Sequence, residues 1–209
     1  MRTDVVVLVP VKSLDLGKSR LLGITDTERR MLAAAFALDT ISAARSTPGV
    51  SGVSVVTEDA EMGERARLAG CSVLPDAADL NGSLRAAAAR VAEQRPRVLV
   101  VALCADLPAL GPAELRLALD EGEGVVPWFL SDHRGTGTTM YAATPDRFDP
   151  RFGAASRAAH LAAGAHELMA AVPGLRHDVD TVDDLEHLAS RDALGAHTRR
   201  ALATNAPLP

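Results

Sequence analysis

The chain has 209 residues and a formal net charge of −5, with 47% hydrophobic and only 3% aromatic residues. That length suits one domain with a sizeable core more readily than two small ones, and the mild acidity argues against a general nucleic-acid binder, which shows a basic face. No apolar run approaches the ~18 residues of a membrane helix. Val5–Val9 is too short for a signal-peptide core, and no small-residue cleavage site follows it. The expectation is a cytoplasmic protein with Cys71 and Cys104 as buried, reduced thiols. Six histidines are scattered without the spacing of a zinc site.

The unbroken apolar run at the start of Val5–Val11 reads as a strand buried on both faces of a parallel sheet. Lys12, Lys18 and Arg20 follow at once, in the loop where open α/β sheets bind ligands. On an acidic chain they indicate a local anion site, with a phosphorylated ligand as the first expectation. Thr25 and Glu28 form a capping-box pattern that predicts a helix to about Arg45. Gly52–Thr57 reads as a strand, and Asp59–Ala69 as a helix stopped by Gly70. Cys71–Leu74 is a short strand, and Asn81 is placed to cap a helix through Glu93. Arg97–Leu103 is a second fully buried strand, ending in Cys104-Ala105-Asp106. Ala113–Asp120 reads as a helix and Gly124–Phe129 as a strand.

Beyond that point the alternation loosens. Gly135-Thr136-Gly137-Thr138-Thr139 leads into a strand at Met140–Ala143, and Arg151-Phe152-Gly153 precedes a helix around Ser156–Ala163. Leu175–Val179 is read as a final strand. Thr181 with Asp184 caps a helix to about Ser190, a further helical stretch covers Asp192–Ala203, and residues 204–209 are a frayed tail. The result is a single α/β domain over residues 1–203, with a twisted, mainly parallel sheet flanked by helices. The short strands after Gly124 are available for an antiparallel element.

Asp106 lies just past a buried strand, at the same sheet edge as the cation loop, although an acid there can also cap the turn before Pro108. In Asp178-Val179-Asp180-Thr181 the two acids stand two residues apart, so on a strand they share a face. The alternative is that Asp180 or Thr181 caps the next helix and that Asp183 and Asp184 are solvated first-turn acids. Carboxylates at two strand ends can hold Mg²⁺, a hard cation that prefers oxygen ligands. Cations nearby can neutralise a triphosphate, and the combination suits phosphoryl or nucleotidyl transfer. The sequence has no GxxxxGK[ST] segment and no GxGxxG after its first strand, which argues against a P-loop enzyme and a dinucleotide-binding oxidoreductase. Thr138 in the GTGTT turn, and Gly153 with Ser156 at a helix start, offer N–H groups and hydroxyls for a second anion. Each also reads as an ordinary turn or N-cap.

PVKSLDLGKSRL, LCADLPAL, HRGTGTT, RFGAAS and HDVDTVDDL, in this order, resemble the CofC/FbiD family of guanylyltransferases, which make the activated phospho-acid used in biosynthesis of the deazaflavin coenzyme F-420. The resemblance runs from about Val5 to Leu188. It implies a GT-A-like nucleotidyltransferase fold and a reaction joining GTP to phosphoenolpyruvate, or to 2-phospho-L-lactate, with release of pyrophosphate. It implies Mg²⁺ on Asp106 and Asp178, with Asp180 as a rival ligand, and phospho-acid contacts at Thr138, Gly153 and Ser156. Lys12, Lys18 and Arg20 match the nucleotide-phosphate segment, which makes Lys12 and Lys18 catalytic candidates beside Asp106. Asn81 and Ser83 match the part facing guanine. The Ala- and Arg-rich composition tilts the acceptor toward phosphoenolpyruvate, by analogy only. A homodimer is left open; no nucleic-acid or membrane partner is expected. The rivals are a related nucleotidyltransferase acting on a molybdopterin or a sugar phosphate, and a silent nucleotide-binding module. Most sugar nucleotidyltransferases carry a GxGxR-type loop after the first strand, whereas SLDLGKSR has a single glycine. Phosphate binding here must rest more on side-chain cations.

Overall fold

The structure, a computed structural model, describes residues 4–12, 21, 23–76 and 79–205. Its frame is a seven-stranded sheet in the order β3-β2-β1-β4-β6-β5-β7, formed by β1 (Val5–Pro10), β2 (Val50–Val56), β3 (Ser72–Leu74), β4 (Leu99–Leu103), β5 (Trp128–Ser131), β6 (Thr138–Ala143) and β7 (His166–Glu167). The first four strands are mutually parallel, and β6 runs antiparallel to both β4 and β5. The antiparallel element expected after Gly124 is therefore present, inserted beside β4. β5 starts later than expected, at Trp128, and the two-residue β7 has no sequence signal of its own.

β1 and β4 occupy the centre, and their apolar runs are buried on both faces. Val5, Val7 and Val9 look to one side, toward α1 (Asp26–Ser46), α2 (Ala60–Leu68) and α4 (Pro112–Glu121). Val6 and Leu8 look to the other, toward α3 (Leu80–Gln94). This alternation follows from the two-residue repeat of a strand. Truncating a side chain such as Leu8, which is wholly buried, costs about 2–5 kcal/mol. A third layer forms where α7 (Val182–Ser190) and α8 (Ala196–Asn205) pack on the outer side of α1 around Phe36, Leu185 and Leu188.

The predicted caps on α1 and α7 are formed. Thr25 and Glu28 exchange hydrogen bonds at the start of α1, as Thr181 and Asp184 do at α7. Gly70, with φ of +75°, ends the second helix as expected, since only glycine adopts that backbone without cost. Two expectations need correction. The cap of α3 is Asp79, whose carboxylate accepts from Gly82 N–H at 2.8 Å, because that residue, and not Asn81, has the extended backbone preceding the helix. Leu175–Val179 is not a strand: Pro173–Arg176 forms one helical turn, α6, and the chain then runs past β4 without a ladder. α5 covers Ser156–Ala162, and α8 continues two residues beyond the predicted limit, through Asn205. No helix among the described residues is long and apolar enough to cross a membrane, and no disulfide joins Cys71 to Cys104.

Candidate active site

Three chain segments meet at the carboxyl edge of β1 and β4. Exposed Lys12 follows β1 at the same edge where Asp106 follows β4. The segment after β4 is pinned from α1. Thr40, fully buried, accepts from Leu107 N–H at 3.2 Å and lies 3.3 Å from the Ala105 carbonyl, so it brackets Asp106 on both sides. On the far side, Val179 N–H donates to the Asp106 carbonyl at 3.0 Å. That single bond replaces the missing ladder and fixes Asp178 and Asp180 on the face toward Asp106.

The three carboxylates each offer an oxygen within 4.8 Å of the others. Both acids of the DVDT segment therefore join Asp106. Asp178 Oδ1 is buried and accepts no hydrogen bond among the described residues, while His133 Nδ1 stands 3.5 Å away. Burial first, then the neighbouring charges of Asp106 and Asp180, push the Asp178 carboxyl up to about 6. Asp178 is thus a half-buried carboxyl whose buried Oδ1 faces two other carboxylates. The all-oxygen donor set of the three, held at fixed backbone positions, fits a hard divalent cation.

Behind this cluster the histidines are less scattered than the sequence suggests. His133 and His177 stack face to face with ring centroids 4.1 Å apart, and His187 continues the stack at 5.2 Å. His133 and His177 also approach Asp184 Oδ1, each at 3.9 Å, but Arg134 reaches that oxygen at 3.0 Å. His133, His177 and Asp184 offer ligand atoms within 4.8 Å of one another, but both Asp184 oxygens already accept from Arg134. Asp184 is not a solvated first-turn acid: it is buried and ties Arg134 to the cap of α7. Burial raises its carboxyl, but the Thr181 and Asp180 hydrogen bonds and Arg134 outweigh this and hold it down at about 2.

The second half of the site is the turn between β5 and β6. Cys104 N–H donates to the Thr139 carbonyl at 2.9 Å, so Thr138 sits beside the segment carrying Asp106. Asp132 shapes this turn by accepting from Thr136 N–H at 2.9 Å, and a Cβ on Gly137 would meet its carboxylate at 2.5 Å. The turn is joined to α5 by Arg157 N–H on the Thr136 carbonyl at 3.2 Å. This brings Thr138 and Ser156, both buried, into one neighbourhood with Gly153, whose φ is +135°. Thr138 Oγ1 lies 3.0 Å from His160 Nδ1, a contact with no sequence signal because it spans 22 positions.

The remaining expected residues divide. The Asn81 side chain accepts from Phe152 N–H and donates to the Phe152 carbonyl, both at 2.9 Å, which ties the start of α3 to the turn at Gly153. Ser83 is fully buried and its hydroxyl bonds to Asp76 and to the Asp79 carbonyl. Lys18 and Arg20 lie outside the described residues.

Residues 5–192 match the family described as "Guanylyl transferase CofC like". The phosphoenolpyruvate guanylyltransferase of Salinispora arenicola (strain CNS-205) is 44% identical over 207 residues, spanning 96% of this chain and 94% of that one. Among solved structures, a protein of Desulfovibrio desulfuricans G20 described as a nucleotide-diphospho-sugar transferase superposes with a TM-score of 0.74 at 18% identity, covering 97% of this chain and 95% of that one. Rv0371c of Mycobacterium tuberculosis H37Rv, solved in complex with manganese, has a TM-score of 0.56 at 26% identity, over 91% of this chain and 100% of its own.

Proposed function

The chain belongs to the CofC-like guanylyl transferase family, and from that premise we propose that it joins GTP to phosphoenolpyruvate, with release of pyrophosphate, in the biosynthesis of coenzyme F-420. The observation that carries the reading is the crowded carboxylate set of Asp106, Asp178 and Asp180 at the sheet edge where β4 ends. Mg²⁺ is assigned to these three acids; when bound it would supply charge neutralisation on the α-phosphate and the incoming acceptor.

The chain's own residues do the rest by placement. Lys12, with Lys18 and Arg20 close behind it in the sequence, takes the triphosphate and the charge of the departing pyrophosphate. Thr138, Gly153 and Ser156 take the phosphate of the acceptor. A phosphomonoester has its second pKa near ~6, so the acceptor is largely ionised at neutral pH and no dedicated base is required. One of its phosphate oxygens forms a bond to the α-phosphorus, the bond from that phosphorus to the β-bridging oxygen breaks, and pyrophosphate leaves. Holding both anions in line at one sheet edge is then the main source of rate.

The test is pyrophosphate release on mixing the protein with GTP, Mg²⁺ and phosphoenolpyruvate, with ATP and 2-phospho-L-lactate as competing arms. Asp106→Asn should lower turnover by at least ~100-fold while leaving the circular dichroism spectrum unchanged. Full activity in that variant refutes the metal-holding role of Asp106.

A further inference from the structure

His160 is the one imidazole wholly buried among the described residues, at 0% exposure. It stacks on Phe129 and Tyr141, with centroids 5.2 and 4.8 Å away, and Phe152 meets it edge-on at 5.7 Å. Both ring nitrogens are engaged. Arg151 N–H donates to Nε2 at 2.9 Å, and a backbone amide can only donate, so Nε2 presents its lone pair. The ring proton of the neutral form is therefore on Nδ1, the nitrogen 3.0 Å from Thr138 Oγ1. Adding a second proton would set Nε2–H against Arg151 N–H inside an aromatic box, and burial accordingly brings this imidazole down to about 4. The Ser156 carbonyl, as a backbone acceptor for the ring, and then Asp149 favour a second proton, while Arg151 opposes it.

We propose that His160 is a positioning residue of the acceptor pocket: its Nδ1–H donates to Thr138 Oγ1 and so turns the Thr138 hydroxyl proton away from the ring, toward the phosphate of the acceptor. A hydroxyl has one proton to give. Were Nδ1 bare, Thr138 would spend that proton on the ring and present only lone pairs to a phosphate, which is itself acceptor-only. The same imidazole holds the Arg151 amide at the entry to the Gly153 turn, so one buried ring sets both sides of the pocket. The inference rests on the reading that Thr138 faces the phospho-acid.

The experiment compares the KM for phosphoenolpyruvate with the KM for GTP in wild type, His160→Phe and His160→Gln, alongside histidine ¹⁵N NMR of the wild-type protein. His160→Phe keeps the ring packing and removes both hydrogen bonds. It should raise the phosphoenolpyruvate KM by ~10–100-fold, because the Thr138 hydroxyl loses its orienting donor and the Arg151 amide its acceptor, with the GTP KM moved by less than ~3-fold. His160→Gln carries an oxygen for Arg151 and an N–H for Thr138, and should recover part of the loss. In the NMR spectrum His160 should show a protonated Nδ1 and a bare Nε2 at neutral pH. An unchanged phosphoenolpyruvate KM in folded His160→Phe, equal losses for both substrates, or an Nε2–H tautomer overturns the proposal. Should His160→Phe not fold, the NMR tautomer and the Gln variant decide. Wild type that releases no pyrophosphate with any phospho-acid instead refutes the underlying reading of the pocket, and the acceptor role of His160 with it.

Discussion

Asp178→Asn should stabilise the metal-free protein near neutral pH and abolish its metal binding. With a carboxyl near 6 in the fold against 3.8 in a free chain, the folded state binds more protons than the unfolded one between those values. Stability therefore falls as pH rises from about 4 to about 6, and the full penalty persists above that. That difference corresponds to at most about 3 kcal/mol. Asparagine keeps the shape and removes the charge. In a chain of this size the gain amounts to about 6–12 °C in melting temperature at most. The assay is thermal unfolding of both proteins in EDTA at about pH 4 and about pH 7.5. The variant should melt higher at the upper pH only, and adding Mn²⁺ or Mg²⁺ should raise the wild type and leave the variant unmoved. A variant destabilised at pH 7.5, or stabilised equally at both pH values, refutes the view of Asp178 as a crowded carboxyl of a cation site.

Two further perturbations probe the walls of the site. Gly153→Ala places a side chain where φ is +135°, which should cost roughly 1–3 kcal/mol in urea unfolding and raise the phosphoenolpyruvate KM more than the GTP KM. Asp184→Asn should cost about 2 kcal/mol at neutral pH, since its depressed carboxyl contributes stability that is present above the unfolded value and lost as pH falls from about 4 toward about 2. An acid-unfolding curve unchanged by that substitution contradicts its role in tying Arg134 to α7.

The parts legible in the sequence are those governed by local rules. The apolar runs of β1 and β4 announce two buried central strands, and the pairs Thr25/Glu28 and Thr181/Asp184 fix two helix starts to within a residue. Asp178 and Asp180 share a face, as a two-residue spacing on extended chain requires, although the ladder predicted around them is absent. What stayed hidden depends on contacts between distant segments. Thr40 acts on residues 65 and 67 positions away, and its sequence context is that of an ordinary helix interior. His160 lies in a short Ala-rich helix and gains its meaning only from a sheet that folds against it. Asp184 looks like a surface acid because its partner Arg134 is 50 residues distant. The Asp79 cap was missed for a different reason, since Asp79 and Asn81 are both good cap residues and only the backbone angle separates them.

The most direct measurement follows the oxygen that forms the new bond. Phosphoenolpyruvate carrying ¹⁸O in its phosphate is incubated with GTP, Mg²⁺ and the protein, and the products are separated for mass spectrometry and ³¹P NMR. The account predicts one product containing both the guanosine phosphate and the enolpyruvyl phosphate, with all of the label in it and none in the pyrophosphate. Label in the pyrophosphate, or GTP consumed with no joined product, contradicts it.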